Sequence, residues 1–208
     1  GKVYFISDDG YLYCLSAKEG TLEWKFRGAP GDQKVLGNER VISSWPARGG
    51  PVIRDGVLYF AASIWPFMGT FIYALDAETG EMEWVNDGTS AQYIKQPHNA
   101  PSFAGVAPQG ALVATQDYLV VPGGRSVPSV FDRSSGEFKY FHLAAGGKGN
   151  GGSFVVANEQ HFFAHTRLRG VRAYDLITGD QTHILVNEPV LDGEMIYAAS
   201  DHALRVAR

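Results

Sequence analysis

Cysteine is almost missing from this chain: Cys14 is the single one among 208 residues, which excludes an intrachain disulfide and any metal site built from several thiolates. It sits in a Tyr-Cys-Leu strand pattern, where a small buried thiol is the expected role. No apolar run approaches the ~18 residues of a membrane-spanning helix, and the opening GKVYFISDDG lacks the charged and apolar regions of a secretory signal. A basic excess is missing too. The formal net charge of −4 gives no electrostatic footprint for nucleic acid, and no basic run marks a membrane surface.

Motifs of chemistry are also wanting. There is no Gly-x-Ser-x-Gly elbow, and a lone cysteine among scattered histidines names no nucleophile. Gly146-Gly-Lys-Gly-Asn-Gly-Gly152 resembles a phosphate loop, but the places a Walker loop gives to its first Gly and to Ser or Thr hold His142 and Gly149, so a flexible connection is expected. His161 and His165 would pair on a helix. Their segment reads as a strand, which at ~3.3 Å per residue sets them about 13 Å apart, too far for one ion. His98 and His142 stand alone. Asp8-Asp-Gly10 reads as a hairpin turn, because the later acidic ligands of a calcium loop are absent. No catalytic, metal-binding or cofactor-binding residue is therefore assigned, and no cofactor is expected from the motifs.

What the chain has in quantity is strand-forming residues and turns. Hydrophobic residues make up 45% and aromatics 12%, enough to exclude disorder, while 25 Gly and 10 Pro suit many short strands. Residues 71–85, FIYALDAETGEMEWV, show how they are used. Apolar residues alternate up to Asp76, the chain reverses over Asp76-Ala-Glu-Thr-Gly80, and Met82 and Trp84 resume the alternation, which spells a β-hairpin. An Asp side chain bonds backbone amides ahead of it, and the Gly takes the left-handed conformation that a Cβ resists.

The turn recurs as Ser16-Ala-Lys-Glu-Gly20, Asp132-Arg-Ser-Ser-Gly136 and Asp175-Leu-Ile-Thr-Gly179. Four residues after Gly20, Gly80, Gly136 and Gly179 stand Trp24, Trp84, Tyr140 and His183, a large ring kept in decaying form. A second strand pair precedes each hairpin, with turns at Arg54-Asp-Gly56, Gln116-Asp117, Asn158-Glu159 and Asp192-Gly193. Each unit is thus a four-stranded antiparallel meander within the ~40–50 residues of a propeller blade. The fold class expected is all-β, a single propeller domain with units at about 1–26, 50–87, 110–144, 151–185 and 187–208. Three are complete and two partial, which reads as a fragment or open arc of a larger propeller whose free strand edges favour edge-to-edge self-association.

These residues resemble the quinoprotein-dehydrogenase-like, or PQQ-like, β-propeller repeat family. Its repeat, approximately G-x-V-Y-x-x-(S)-x-D-G-x-L-Y-A-L-D-A-x-T-G-x-x-x-W, is matched by GKVYFISDDGYLYCLSAKEGTLEW and by DGVLYFAAS with IYALDAETGEMEW. The resemblance covers nearly the whole chain. It implies that Trp24 and Trp84 dock one blade on the next, while Tyr140 and His183 depart from the pattern. The family includes quinone-dependent alcohol and sugar dehydrogenases, an envelope lipoprotein that scaffolds outer-membrane protein assembly, and many uncharacterised bacterial repeat proteins. Dehydrogenases of the alcohol type carry adjacent cysteines beside the quinone and an acidic and amide cluster around calcium. With Cys14 alone, this sequence cannot supply that pair. PQQ with calcium stays an alternative implied by the resemblance, as does a periplasmic or cell-envelope location.

In an up-and-down blade, connections alternate between faces. The acidic turns fall on one face, and the irregular segments 27–49, 63–69, 87–109, 122–128 and 165–170 on the other. Loops on a rigid scaffold are where binding resides. These carry Trp45-Pro46 and Trp65-Pro66 together with Arg48, Arg125, Arg167 and Arg169. An indole stacks on rings or cations, and a guanidinium grips carboxylate or phosphate. They are the candidate binding residues for a protein partner or a small anionic or aromatic ligand. The competing reading is that the tryptophans close the core beneath long loops and the arginines pair with nearby carboxylates. The function expected is a noncatalytic scaffold or binding domain. The alternatives are a fragment of a PQQ-dependent oxidoreductase and a sensor or substrate-capture module fused to a catalytic domain.

Overall fold

The computed structural model describes residues 1–37, 39–63, 65–89, 91–96, 99–124, 126–143, 152–166, 170–184, 188–199 and 204–207. Its plan is a succession of antiparallel sheets in chain order. The second unit pairs Ala47–Arg54, Val57–Ala62, Phe71–Asp76 and Met82–Asn86 in that sequence. The third repeats it with Val113–Ala114, Tyr118–Val121, Ser129–Asp132 and Phe138–Tyr140. Three strands form the first unit, Lys2–Ile6, Tyr11–Ser16 and Leu22–Arg27. The fourth has Val155–Ala157, His161–Thr166 and Gly170–Asp175, and its outer segment is reduced to the single bridge from Tyr174 to Gln181. Val190–Asp192, Met195–Ala199 and Leu204–Ala207 make the fifth. Among the described residues, helix is limited to one 3-10 turn at Pro66–Met68.

The acidic turn shows why sequence dictates these reversals. Asp76 Oδ1 accepts from the amides of Glu78 at 2.9 Å and Thr79 at 2.7 Å, and the Gly80 amide closes on the Asp76 carbonyl at 2.8 Å with φ +75°. That conformation penalises any residue with a Cβ. Asp132 and Asp175 hold their turns in the same way, and in the first unit Ser16 Oγ accepts from the Glu19 amide at 3.3 Å. The register slips at Cys14/Leu15, Ala74/Leu75 and Val130/Phe131, a bulge that sharpens local twist.

The core lies between sheets. Leu12 of the first unit packs with Leu58, Phe60, Tyr73 and Leu75 of the second. Tyr59, Ala61 and Ile72 of the second meet Leu119, Val121 and Phe131 of the third. Val120 and Val130 continue to Phe162 and Tyr174 of the fourth, and Phe163, Val171 and Ala173 to Ile196 of the fifth. Each large side chain so buried contributes roughly 1.5–3 kcal/mol relative to exposure, so the stack holds the units together as well as up. Just ahead of the first strands of the third and fourth units the backbones approach closely through glycine: a Cβ on Gly110 would lie 1.8 Å from the Ser153 carbonyl oxygen.

Two segments expected to be irregular are not. Residues 27–49 contain a hairpin of Lys34–Gly37 and Arg40–Ser43, and residues 87–109 one of Gln92–Lys95 and Pro101–Ala104. Their strands expose apolar side chains, so burial did not write the usual alternation into the sequence. His161 and His165 share a strand. His98 and residues 146–151 of the glycine-rich stretch lie outside the described residues.

Candidate functional site

Two sets of connections define two sides of the molecule. On one, the short turns touch across units: Arg133 Nη2 meets Asp55 Oδ2 at 2.8 Å, Arg133 Nε donates to the Gln116 carbonyl at 2.8 Å, and Arg54 reaches Glu159 at 3.4 Å. On the other, the long connections are tied together. The Trp45 indole N–H donates to the Met68 carbonyl at 2.8 Å, Thr70 Oγ1 donates to the Val106 carbonyl at 2.8 Å, and the Ser43 amide donates to the Asp8 carbonyl at 2.8 Å. The loops of both Trp-Pro pairs therefore share the second side.

Of the candidate binding residues, Trp45 is half-buried and hydrogen-bonded, closing the joint between its loop and the 3-10 turn. Trp65 is 52% exposed and lies 6.0 Å from the ring of Phe67. Arg48 is exposed on the strand Ala47–Arg54 and has no hydrogen-bond or ion-pair partner among the described residues. It lines a cleft of about 640 Å³ with Asp8, Asp9, Arg40 and Ile42. There Asp8 pairs with Arg40, while the hydrogen bond from its hydroxyl to Asp9, helped by burial, pushes Tyr13 up to about 12. Arg125, Arg167 and Arg169 lie outside the described residues.

Sequence reasoning missed a set of exposed rings on this side. Phe67, Tyr93 and Phe103 are 66%, 64% and 64% exposed. Tyr93 and Phe103 meet edge to face at 5.2 Å across the hairpin Gln92–Lys95 and Pro101–Ala104, which packs against the turn bearing Phe67. Trp65 stands beside Phe67, and the other inserted hairpin shows Leu36, 85% exposed, and Val41. The detectable signal was the turn signature Pro97-His98-Asn99 between two short stretches that each carry an aromatic ring, Tyr93 and Phe103.

The recurrent rings lie on the opposite, turn-bearing side. A Cβ on Gly80 would be 2.8 Å from Trp24, one on Gly136 2.4 Å from Trp84, and one on Gly179 2.5 Å from Tyr140. Each ring also donates to the turn it covers: Trp24 to the Glu78 carbonyl at 3.1 Å, Trp84 to that of Arg133 at 3.1 Å, and the Tyr140 hydroxyl to that of Leu176 at 2.8 Å. Burial holds the Tyr140 phenol well above its ordinary range. His183 is exposed, and the space over Gly20 is open within 4 Å.

Among the described residues no three His, Cys, Asp or Glu side chains converge on a possible ion. Cys14 is fully buried and its thiol pushed up by that burial. No described helix is long and apolar enough to cross a membrane.

The model of the family described as outer membrane protein assembly factor BamB matches residues 1–208. Over 88 residues, 40% of the chain, it is 38% identical to the dehydrogenase subunit of the quinone alcohol dehydrogenase of Gluconacetobacter polyoxogenes. It is 38% identical over 85 residues to the corresponding subunit of Gluconobacter oxydans. The chain spans 11% of the length of each. Among solved structures, 99% of it superposes on 57% of BamB from Moraxella catarrhalis, with a TM-score of 0.54 and 18% identity. An equal share superposes on 38% of the quinohemoprotein alcohol dehydrogenase of Comamonas testosteroni, with a TM-score of 0.62 and 14% identity. These structures share its propeller fold.

Proposed function

Because the chain belongs to the family described as outer membrane protein assembly factor BamB, a family of PQQ-like propeller repeats, we propose that it is a noncatalytic binding scaffold of the bacterial cell envelope that recognises a protein partner with its loop-bearing side. The observation that carries this reading is two exposed ring pairs, Trp65 with Phe67 at the 3-10 turn and Tyr93 with Phe103 on the hairpin that packs against that turn. Four large rings gathered on one side of a rigid stack of sheets stabilise the free molecule little, whereas aromatic side chains dominate the energetics of protein interfaces. Arg48, exposed and unpaired beside the cleft, supplies a cation for a carboxylate of the partner. Phe67→Ser, Tyr93→Ser and Phe103→Ser combined leave the thermal midpoint within about 3 °C, since exposed sites contribute little to stability. The same variant loses the protein that copurifies with the wild-type chain from an envelope fraction. Retention of that protein would contradict the reading.

One observation favours a second reading, a portion of a quinone-dependent oxidoreductase: the curated relatives at 38% identity are quinone alcohol dehydrogenase subunits. Equilibrium dialysis against PQQ with and without calcium separates the two. The scaffold reading expects no calcium-dependent uptake, and stoichiometric uptake would transfer the argument to the second.

A further inference from the structure

The inserted ribbon of Gln92–Lys95 and Pro101–Ala104 has two edges, and they differ. Its hydrogen-bond phase is set at the turn, where the Gln96 amide donates to the Ala100 carbonyl at 3.0 Å. Bonded and non-bonded pairs alternate along an antiparallel ladder. Counting back from Gln96, the pairs Ile94 with Ser102 and Gln92 with Ala104 turn their backbone groups inward, whereas Tyr93 with Phe103 and Lys95 with Pro101 turn theirs outward. On the strand Pro101–Ala104 the outward edge has no N–H at Pro101, and that strand packs against the 3-10 turn. An edge proline and a covering element both close a strand to further pairing. The strand Gln92–Lys95 carries no proline, and the amides and carbonyls of Tyr93 and Lys95 have no hydrogen-bond partner among the described residues. The Lys95 side chain is exposed, and its ammonium has no ion-pair partner among them either.

Resting on the reading of the loop-bearing side as a protein-binding surface, we propose that the edge of Gln92–Lys95 takes an extended segment of the protein partner as a third strand of the ribbon, with an acidic residue beside Lys95 and a β-branched one beside Tyr93. The class of ligand follows from the backbone. Donors and acceptors repeating at every second residue are matched by another strand and by little else. The side chains follow from the face: Tyr93 meets Phe103 directly across the ribbon, and Lys95 lies two residues on, on the same face. Aromatic rings pair well with β-branched neighbours across strands, and lysine with a carboxylate. A second copy of this chain fits worse. Its own edge, Gln92-Tyr93-Ile94-Lys95, offers no carboxylate, so both ammonium groups would stay unpaired.

The probe is a fluorescein-labelled peptide of about nine residues, long enough for one strand, in which every second residue is threonine and the others are valine and glutamate in turn. Added to the whole chain, it binds by fluorescence anisotropy with a Kd below about 1 mM. Saturating peptide slows amide exchange of Tyr93 and Lys95 about tenfold and leaves that of Ile94, already bonded across the ribbon, within about twofold. Lys95→Pro removes an outward N–H and no bond of the existing ladder, so it weakens binding about tenfold and leaves the thermal midpoint within about 3 °C. Lys95→Gln keeps the N–H and loses the charge, which weakens binding only about threefold. N-methylation of the valine and glutamate amides of the peptide weakens it about tenfold with the protein untouched. Absence of binding up to about 1 mM, or binding that survives both Lys95→Pro and N-methylation, overturns the proposal. Slow exchange of Tyr93 and Lys95 in the free protein does so too, as does a concentration-dependent dimer that Lys95→Pro dissolves, which would place a second copy on the edge. If the variant Phe67→Ser, Tyr93→Ser, Phe103→Ser loses the copurifying protein while Lys95→Pro keeps it, strand addition fails and the scaffold reading stands; if both variants keep it, both fail.

Discussion

A carboxylate that caps a turn is among the smallest devices in this protein, and it leaves a titration signature. Hydrogen bonds from Ser134 and from the Ser135 amide hold the Asp132 carboxyl below its usual range, and the amide of Thr178 does the same for Asp175. A carboxylate whose pKa is depressed by folding contributes stability that is complete above its unfolded pKa and is lost as pH falls through the lower, folded value. The loss therefore runs downward from about pH 4. Asp132→Asn flattens this limb of the stability curve below about pH 4 and weakens the turn by about 1 kcal/mol at neutral pH, as loss of net turn hydrogen bonds does. Urea midpoints across that range check it, and an unchanged acid limb would refute the assignment. The turn residues were legible because both partners of each bond lie within four positions. The seat of each ring was not: Trp24 donates to a carbonyl 54 residues away, and no local pattern names such a destination.

Strands paired inside a buried sheet announce themselves, and strands paired on the surface do not. In the hairpin from Phe71–Asp76 to Met82–Asn86 the first strand is a continuous apolar run because both its faces are buried, Ile72 and Ala74 against the third unit and Tyr73 and Leu75 against the first. In the inserted hairpins the ladder is present, Lys34 opposite Ser43 and Gln92 opposite Ala104, but Leu36 and Tyr93 point to solvent. The first reversal also passes through Glu39 at φ +62°, where a hairpin signal calls for Gly, Asn or Asp. These elements carry most of the exposed apolar surface on the loop-bearing side, so they should bind a hydrophobic dye. Tyr93→Ser with Phe103→Ser reduces anilinonaphthalene sulfonate fluorescence in the folded protein at least twofold, with less than about 1 kcal/mol lost in stability for exposed sites. Equal fluorescence in the variant would show that the hairpin does not present that surface. Trp45, grouped with Trp65 in the sequence, differs from it in environment: its indole is hydrogen-bonded and half-buried, while Trp65 is exposed.

At the scale of the whole molecule, successive sheets stack through shared cores, and the turns on one side interlock through Arg54 and Arg133. That side is committed to holding units together. The proposed function assigns recognition to the other, where the connections are long and Trp65, Phe67, Tyr93 and Phe103 are exposed. The architecture was readable from a repeat interval and a turn, since each unit must bury its faces on its neighbours; the recognition surface was not, since exposure follows from tertiary placement. The most direct test attaches photocrosslinking side chains singly at Phe67 and Tyr93 on the loop-bearing side, and at Glu78 and Ser134 on the turn-bearing side, in cells that express the protein. The account predicts a crosslinked protein partner from the first pair and none from the second. Crosslinks confined to Glu78 and Ser134 would contradict it.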